Sequence, residues 1–542
     1  MIPSLNQIAR GQVLRDGVLV RFRCMIQDNL DKVLKHKQAG EMDLKYRRGL
    51  EGVSTSAMLS RDFYDVERFV AVSVPGEPLM PVSEALKPFY VAGVSDKRDR
   101  VDTKMDESEP KRARESVDNE EPPAMIPVCV EDDGAGEPSS GPVFPHPLSM
   151  SLVPEEVASR RISAVLNLCD MAVDFKLHEI VEVVGVVSKL LPEDCQGLPL
   201  CDYSIEVIDA IRPTRGEPEP MSHESATVAR SALKTVLARL LGNDQVAAEY
   251  LLLQLVSSRV AGNEALPTLG SWALSLSNAD QVDVSLLSRF VSSVVDGPSV
   301  SVPTSNSVLM TERFYPVRPA ESDFTHPGVL QLPPNTTMIL DERELSEGQV
   351  NALNVLAISR AVREQELMAV FGSSDVISFK LDCRFVIFNS GRNRSIFANT
   401  NPAYGVLGSS PFVAVELRPT RTTALTEADI SLCEADLKAV QNYVRAARSL
   451  VGTITITEDV IGKFQNDWVE SRKIDPAIPT EDIDAWATLL RIVAASRGAA
   501  ETSMDDLASV LTLERERRQR LPAAKSESDT QSTSNDPVVT GA

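Results

Sequence analysis

Between Ser95 and His146 the chain turns to Asp, Glu, Lys, Arg, Pro, Ser and Gly, with almost no aromatic side chains. Such a stretch cannot bury enough apolar area to offset the entropy of ordering it, so residues 95–146 are expected to be a disordered insert. Whatever folds on its two sides must assemble around that insert. Before it, residues 1–94 are rich in strand material. Val18 to Asp28 alternates in part, Asp62-Phe63-Tyr64-Asp65 supplies aromatics, and Phe69 to Val74 is stopped by Pro75-Gly76. After it, order returns at Pro147. Leu177 to Leu191 reads as one long strand with a bulge or bend at Gly185, and Tyr203 to Ile208 reads as another. About five strands split by an insert suit an OB-like barrel built from 1–94 and 147–213.

Ile211 to Met221 is a linker by its proline and charge content, and the pattern then changes. Leu233, Val236, Leu237, Leu240 and Leu241 recur at spacings of three and four, and Gly242-Asn243 ends that helix. Val246 to Val260 is apolar all round, the mark of a buried helix. Residues 269–276 and 282–295 alternate strand-like and helical stretches. Gly328 to Glu342, GVLQLPPNTTMILDE, carries an apolar strand that ends on Asp341-Glu342. A helix is expected over 346–369, followed by a strand Arg384–Phe388 ending on Asn389. Strands alternating with helices predict an α/β layered domain over 214–425.

Residues 426–520 read as all helical, a helical lid. Leu437, Val440, Val444 and Ala447 form one stripe; Ile461, Phe464 and Trp468 form a second; Ile483, Trp486, Ala487, Leu490 and Ala494 form a third. Ser503-x-x-Asp506 caps a fourth helix carrying Leu507, Val510 and Leu511. The polar tail 521–542 is expected to be disordered.

A formal net charge of −22 argues against a surface that tracks phosphates, so nucleic acid is not expected as the main ligand and basic protein partners are. Single-strand binding by the barrel would need basic residues interleaved with aromatics. Arg21-Phe22-Arg23 hints at this, but 177–191 holds no aromatic residue, which favours docking or scaffolding. Seven scattered cysteines without a C-x-x-C speak against a disulfide framework and for a reducing compartment. Cys195 and Cys201 with His178 match no zinc spacing. No apolar leader and no run of about 18 apolar residues occurs, so a soluble, non-secreted protein without membrane contact is expected. Asp96 to Arg100 and Pro110-Lys111-Arg112-Ala113-Arg114 are basic clusters inside the insert. Lys111, Arg112 and Arg114 fit the extended peptides that import receptors bind; the alternative is a solvated polyampholyte linker.

An apolar strand delivering two carboxylates at its tip is how nucleotide hydrolases hold Mg²⁺ and its attacking water. A core strand running into an acidic helix start gives the same letters. The phosphate loop that would decide for hydrolysis is missing: no G-x-x-x-x-G-K-[ST] occurs, and Gly462-Lys463 sits in a helical stripe. Where that loop is expected, Leu241 to Tyr250 carries Asp244 and Glu249, which would repel a triphosphate. There is no G-x-S-x-G, and His178-Glu179 and His223-Glu224 lack the second histidine of a zincin. No catalytic residue, cofactor or metal is expected, and the chain reads as non-enzymatic.

The elements from 233 to 520 resemble, in degenerate form, the ATPase half of the mini-chromosome maintenance (MCM) helicase subunits. Gly328 to Leu332 with the following strand and Asp341-Glu342 looks like their Walker B region. Cys383 to Asn389 looks like their sensor-1 strand, and the helices from 437 to 516 look like their lid. VRFRCMIQD at 20–28, VPGE at 74–77, LGNDQVAAEYLLLQL at 241–255 and GVLQLPPNTTMILDE at 328–342 are similar to the MCM complex-binding protein family. The resemblance implies a split OB-like domain, a degenerate AAA+-like α/β domain and a helical lid. It also implies a nuclear protein that associates with MCM helicase subunits and regulates their assembly, turnover or chromatin release in DNA replication and sister-chromatid cohesion. Asp341, Glu342 and sensor-like Asn389 would be vestigial, because the P-loop and the Ser-Arg-Phe-Asp arginine-finger pattern are absent and Glu481 stands where the lid would carry a sensor Arg. The rivals are an atypical AAA+ nucleotide hydrolase and an OB-fold single-strand binder.

Overall fold

A computed structural model describes residues 2–36, 63–90, 162–189, 201–259, 272–391, 395–397 and 412–520, apart from short gaps within these spans. Strands β1 (Val18–His36), β2 (Phe63–Ser73), β3 (Ser163–Cys169), β4 (Ile180–Lys189) and β5 (Tyr203–Ile211) close a barrel in the order β1-β2-β3-β5-β4. Chain from both sides of the insert thus builds one barrel, with β2 and β3 antiparallel from Val66↔Cys169 to Val72↔Ser163. The strand expected to stop at Asp28 continues to His36, and the two short stretches around 62–74 are one strand. The register shifts at Ile26/Asp28 and Leu30/Val33, where extra residues on the long β1 are taken up as it follows β2. β3 carries no alternation to read, since all but its last residue are buried.

Gly185 sits at a bulge in the β4–β5 ladder, where a Cβ would lie 2.4 Å from the Glu206 carbonyl oxygen; only glycine fits. Val20, Phe22, Cys24 and Ile26 alternate inward from β1 onto Ala71, Leu166, Val183 and Ile205. Phe22 is therefore core and offers no stacking face. Its neighbours are ion-paired, Arg21 with Glu182 at 3.1 Å and Arg23 with Glu77 at 2.8 Å.

The next unit begins with helices α1 (His223–Leu240) and α2 (Gln245–Val256). It continues through β6 (Ala273–Ser277), α3 (Val284–Val294), β7 (Ser299–Pro303), α4 (Asn306–Thr311), β8 (Val317–Arg318) and β9 (Thr336–Asp341). Then come α5 (Ala352–Glu364), β10 (Glu366–Phe371), β11 (Asp375–Lys380), β12 (Cys383–Phe388) and β13 (Phe412–Glu416). Five of these strands form a parallel sheet in the order β13-β6-β12-β9-β7. Parallel strands need crossover helices and bury both faces, which explains why most of their residues are buried, polar Ser275, Thr336 and Arg384 included. One face packs Leu274, Ile339, Val386 and Val413 against α1–α3; the other packs Ala273, Met338, Leu340, Phe385 and Ile387 against α5.

The helix expected over 346–369 is shorter. Asn351 caps α5 by accepting from the amides of Leu353 and Asn354, and Gln365 ends it in the left-handed conformation at φ 54°. The residues that follow reverse into the β10–β11 hairpin. Glu-Leu-Met-Ala-Val-Phe is an apolar run that local pattern cannot separate from a helix end.

Helices α6 (Glu427–Ile430), α7 (Glu434–Val451), α8 (Glu458–Ile474), α9 (Asp482–Ser496) and α10 (Met504–Arg520) complete the described chain. Ile461, expected in a core stripe, is exposed, while Trp468 packs edge-on against Trp486 at 4.9 Å to join α8 and α9. Ser503 caps α10 as the spacing predicts: Asp506 Oδ2 accepts from the Ser503 amide and hydroxyl, each at 2.8 Å. Buried Glu514 accepts from the Tyr250 hydroxyl at 2.5 Å, from Trp486 Nε1 at 3.1 Å and from Arg517 at 2.7 Å, tying α2, α9 and α10 together. Among the described residues no helix is long and apolar enough to cross a membrane.

Candidate functional site

Ligands of open parallel sheets bind beyond the carboxyl ends of the strands, and here the acidic pair stands at that edge. β9 and β12 run level from Thr336↔Cys383 to Asp341↔Phe388, so Glu342 and Asn389 leave the sheet side by side. Backbone bonds fasten the edge: the Glu342 amide donates to Phe388 O at 2.7 Å, and the Asn389 amide donates to Leu276 O at 3.0 Å.

The two carboxylates of the pair have opposite environments. Asp341 is held bidentately by Arg343, Nε to Oδ1 at 2.8 Å and Nη2 to Oδ2 at 2.7 Å. The third arm of the same guanidinium donates to Val282 O at 2.6 Å. The hydrogen bond with Asp341 raises the guanidinium's affinity for its proton; partial burial opposes this, and the charges of Asp341, Asp280 and Asp283 add to it. Glu342 is fully buried, and no strong donor holds its carboxyl oxygens among the described residues; the Ser395 hydroxyl and Ile396 amide are the donors near it. Burial pushes its carboxyl up to about 8, with Asp341 adding to the shift and the nearby Ser395 hydroxyl and Ile396 amide opposing it only in part. Burial thus favours the neutral form of Glu342, which makes it a poor acceptor of a proton from water and a poor charged ligand for a metal.

Asn389 donates from Nδ2 to Ser275 Oγ at 3.1 Å, and its Oδ1 is buried without a partner. Beside it, Ser390 Oγ lies 2.5 Å from Asp280 Oδ1 and 2.9 Å from Arg343 O.

Spacing led to the wrong place for a phosphate loop. Leu241 to Asp244 is the turn between two helices, and no strand enters it. Gly242 adopts φ 68° there with Pro419 against it, and Asp244 caps α2 by accepting from the Val246 and Ala247 amides, each at 3.0 Å. Its second oxygen accepts from the Arg418 amide at 2.8 Å and from Arg520 at 2.5 Å. That acid is a cap and a charge anchor. The strand-to-helix loop that meets Asn389 at this edge is 278–283, between β6 and α3. It holds neither Gly nor Lys, and Asp283 caps α3 by accepting from the Leu286 amide at 2.9 Å. Two of its amides are engaged, Ala279 N with Asn389 O and Val282 N with Ala279 O, and the loop supplies no Gly, Lys or Arg of its own to a phosphate.

Sequence reasoning missed Arg343, Val282, Asp280 and Ser390. The usable signal was Arg343 itself, two residues beyond Asp341 at a strand end. Gly462-Lys463 lies in α8 as expected, with Lys463 paired to Asp467 at 2.6 Å. Lys111, Arg112, Arg114, Cys129, Cys195 and Glu481 fall outside the described residues. Cys24, Cys169, Cys201, Cys383 and Cys433 are free thiols, and His178 is buried. No group of three or more His, Cys, Asp or Glu suited to a metal occurs among the described residues.

A family model described as mini-chromosome maintenance replisome factor matches residues 1–195 and 206–521. The mini-chromosome maintenance complex-binding protein of Arabidopsis thaliana is 25% identical over 548 residues, covering 93% of this chain and 88% of its own. The Gallus gallus protein of that name is 25% identical over 617 residues, and the Homo sapiens protein is 24% identical over 623; each alignment covers 97% of this chain and 91% of the relative. The alignments run through the barrel, the parallel sheet and the terminal helices alike, and the chain belongs to the mini-chromosome maintenance complex-binding protein family.

Proposed function

We propose that this chain is a non-enzymatic nuclear binding protein that associates with MCM helicase subunits and regulates assembly, turnover or chromatin release of their complex in DNA replication and sister-chromatid cohesion. The observation that carries this is the similarity, over nearly the whole chain, to proteins named for binding the MCM complex. The sheet order β13-β6-β12-β9-β7, with the acidic pair after β9 and Asn389 after β12, supports reading the α/β unit as a degenerate AAA+-like domain under a helical lid. The closed five-stranded barrel supports an OB-like reading of the first unit. A Glu342 whose neutral form burial favours, an Asp341 occupied by Arg343 and a 278–283 loop without Gly or Lys support the loss of nucleotide chemistry.

Mechanism then reduces to mimicry: the pseudo-ATPase presents subunit-like surfaces to a genuine MCM neighbour and contributes no hydrolysis. Lys111, Arg112 and Arg114 would be read by an import receptor. Buried Phe22 and the paired Arg21 and Arg23 weigh against single-strand binding by the barrel. Capture of each MCM subunit separately from nuclear extract by the full chain is the test, with at least one recovered; recovery of none overturns the proposal.

A further inference from the structure

We propose that Arg343 is the resident cation of the acidic sheet edge. Its guanidinium fills the position beside Asp341 that a dissociable divalent cation would otherwise occupy, and it closes three loops into a cap that needs neither metal nor nucleotide. Two carboxylate oxygens at 2.8 and 2.7 Å and the Val282 carbonyl oxygen at 2.6 Å meet one guanidinium. An all-oxygen set of one carboxylate and one carbonyl, with Asp280 nearby, is what a hard divalent cation takes from a protein, its remaining positions being filled by water. Arginine suits the substitution better than lysine, because its planar fork engages both carboxylate oxygens and still has a third arm for the carbonyl.

The guanidinium reaches the 279–283 loop through Val282, and the Arg343 carbonyl reaches Ser390, whose hydroxyl also meets Asp280. The 341–345 and 389–390 segments and the 279–283 loop are thereby joined through one residue. Asp280 and Asp283 both lie within the electrostatic reach of this guanidinium. The competing view is an ordinary pair between near neighbours in sequence, which contributes little and whose removal leaves no appetite for a cation. The inference is independent of which partner the chain meets.

The test uses the full chain with Mn²⁺ as probe. Counting free Mn²⁺ by electron paramagnetic resonance, Arg343→Ala is expected to bind one ion per chain more than the natural protein. Its thermal midpoint falls by roughly 2–4 °C, of which Mn²⁺ restores about half, while neither Mn²⁺ nor a chelator moves the natural protein's midpoint. Asp341→Asn added to Arg343→Ala abolishes the extra ion and recovers the midpoint without metal. An equal Mn²⁺ count in Arg343→Ala and the natural protein overturns the proposal. Should Arg343→Ala fail to fold, the double variant decides: folding supports an uncompensated Asp341 charge as the cause, and failure of the double variant overturns it. MCM capture is read separately, so loss of capture bears on the proposed function and leaves the Mn²⁺ result standing.

Discussion

Replacing Glu342 by Gln keeps the shape of the side chain and removes its ability to ionise. In the natural protein burial lifts this carboxyl from 4.5 to about 8, whereas the unfolded chain keeps the ordinary value. Between those two values the unfolded state binds fewer protons than the folded state, so stability falls as pH rises. The contribution is whole below the unfolded value, declines by about 1.4 kcal/mol per pH unit and is exhausted above the folded value. Near pH 7 the natural protein should have lost about 3 kcal/mol relative to its acid side, a loss that Glu342→Gln does not suffer. The assay is urea unfolding of both proteins between about pH 5 and pH 8, followed by tryptophan emission. Trp272, Trp468 and Trp486 are the chain's only tryptophans, and all lie in the α/β unit and its helices, so the signal reports the relevant part. The variant's advantage should widen steadily with pH. A difference that stays flat, or that shrinks as pH rises, refutes a buried neutral Glu342.

Further outcomes follow from the same physics. Glu514→Ala removes the carboxylate that Arg517, Tyr250 and Trp486 share in the core, and should cost about 3–5 kcal/mol in urea unfolding read by the same tryptophans. Gly185→Ala places a methyl group against the Glu206 backbone and should destabilise the barrel by about 1–3 kcal/mol, seen as a lower thermal midpoint by circular dichroism in the strand region. Lys111→Ala with Arg112→Ala should hold a fluorescent fusion in the cytoplasm, and unchanged nuclear accumulation would remove the import reading. Isothermal titration with ATP and Mg²⁺ should give no heat of binding, since the 278–283 loop has neither Gly nor Lys for a phosphate and Arg343 occupies Asp341.

Local pattern sufficed wherever the deciding interactions are local. Strand material on both sides of the 95–146 insert, the helices after residue 426, the Ser503 cap and the apolar strand ending on Asp341-Glu342 all follow from periodicity, capping chemistry and composition, although the stripe through Ile461 placed an exposed residue in the core. Tertiary structure alone decided the rest, because strand order, register and burial join residues far apart in sequence. β3 becomes a barrel strand by pairing across the insert. The loop facing the acidic pair is 278–283 rather than 241–250, because the parallel sheet sets β6 beside β12. Asp341 is held by Arg343, a near neighbour in sequence, but the third arm of that guanidinium finds Val282 O only once the 279–283 loop meets the strand end. Glu342, adjacent to Asp341 in the sequence and identical to it in ordinary charge, is pushed toward its neutral form because burial removes the water that would stabilise its anion.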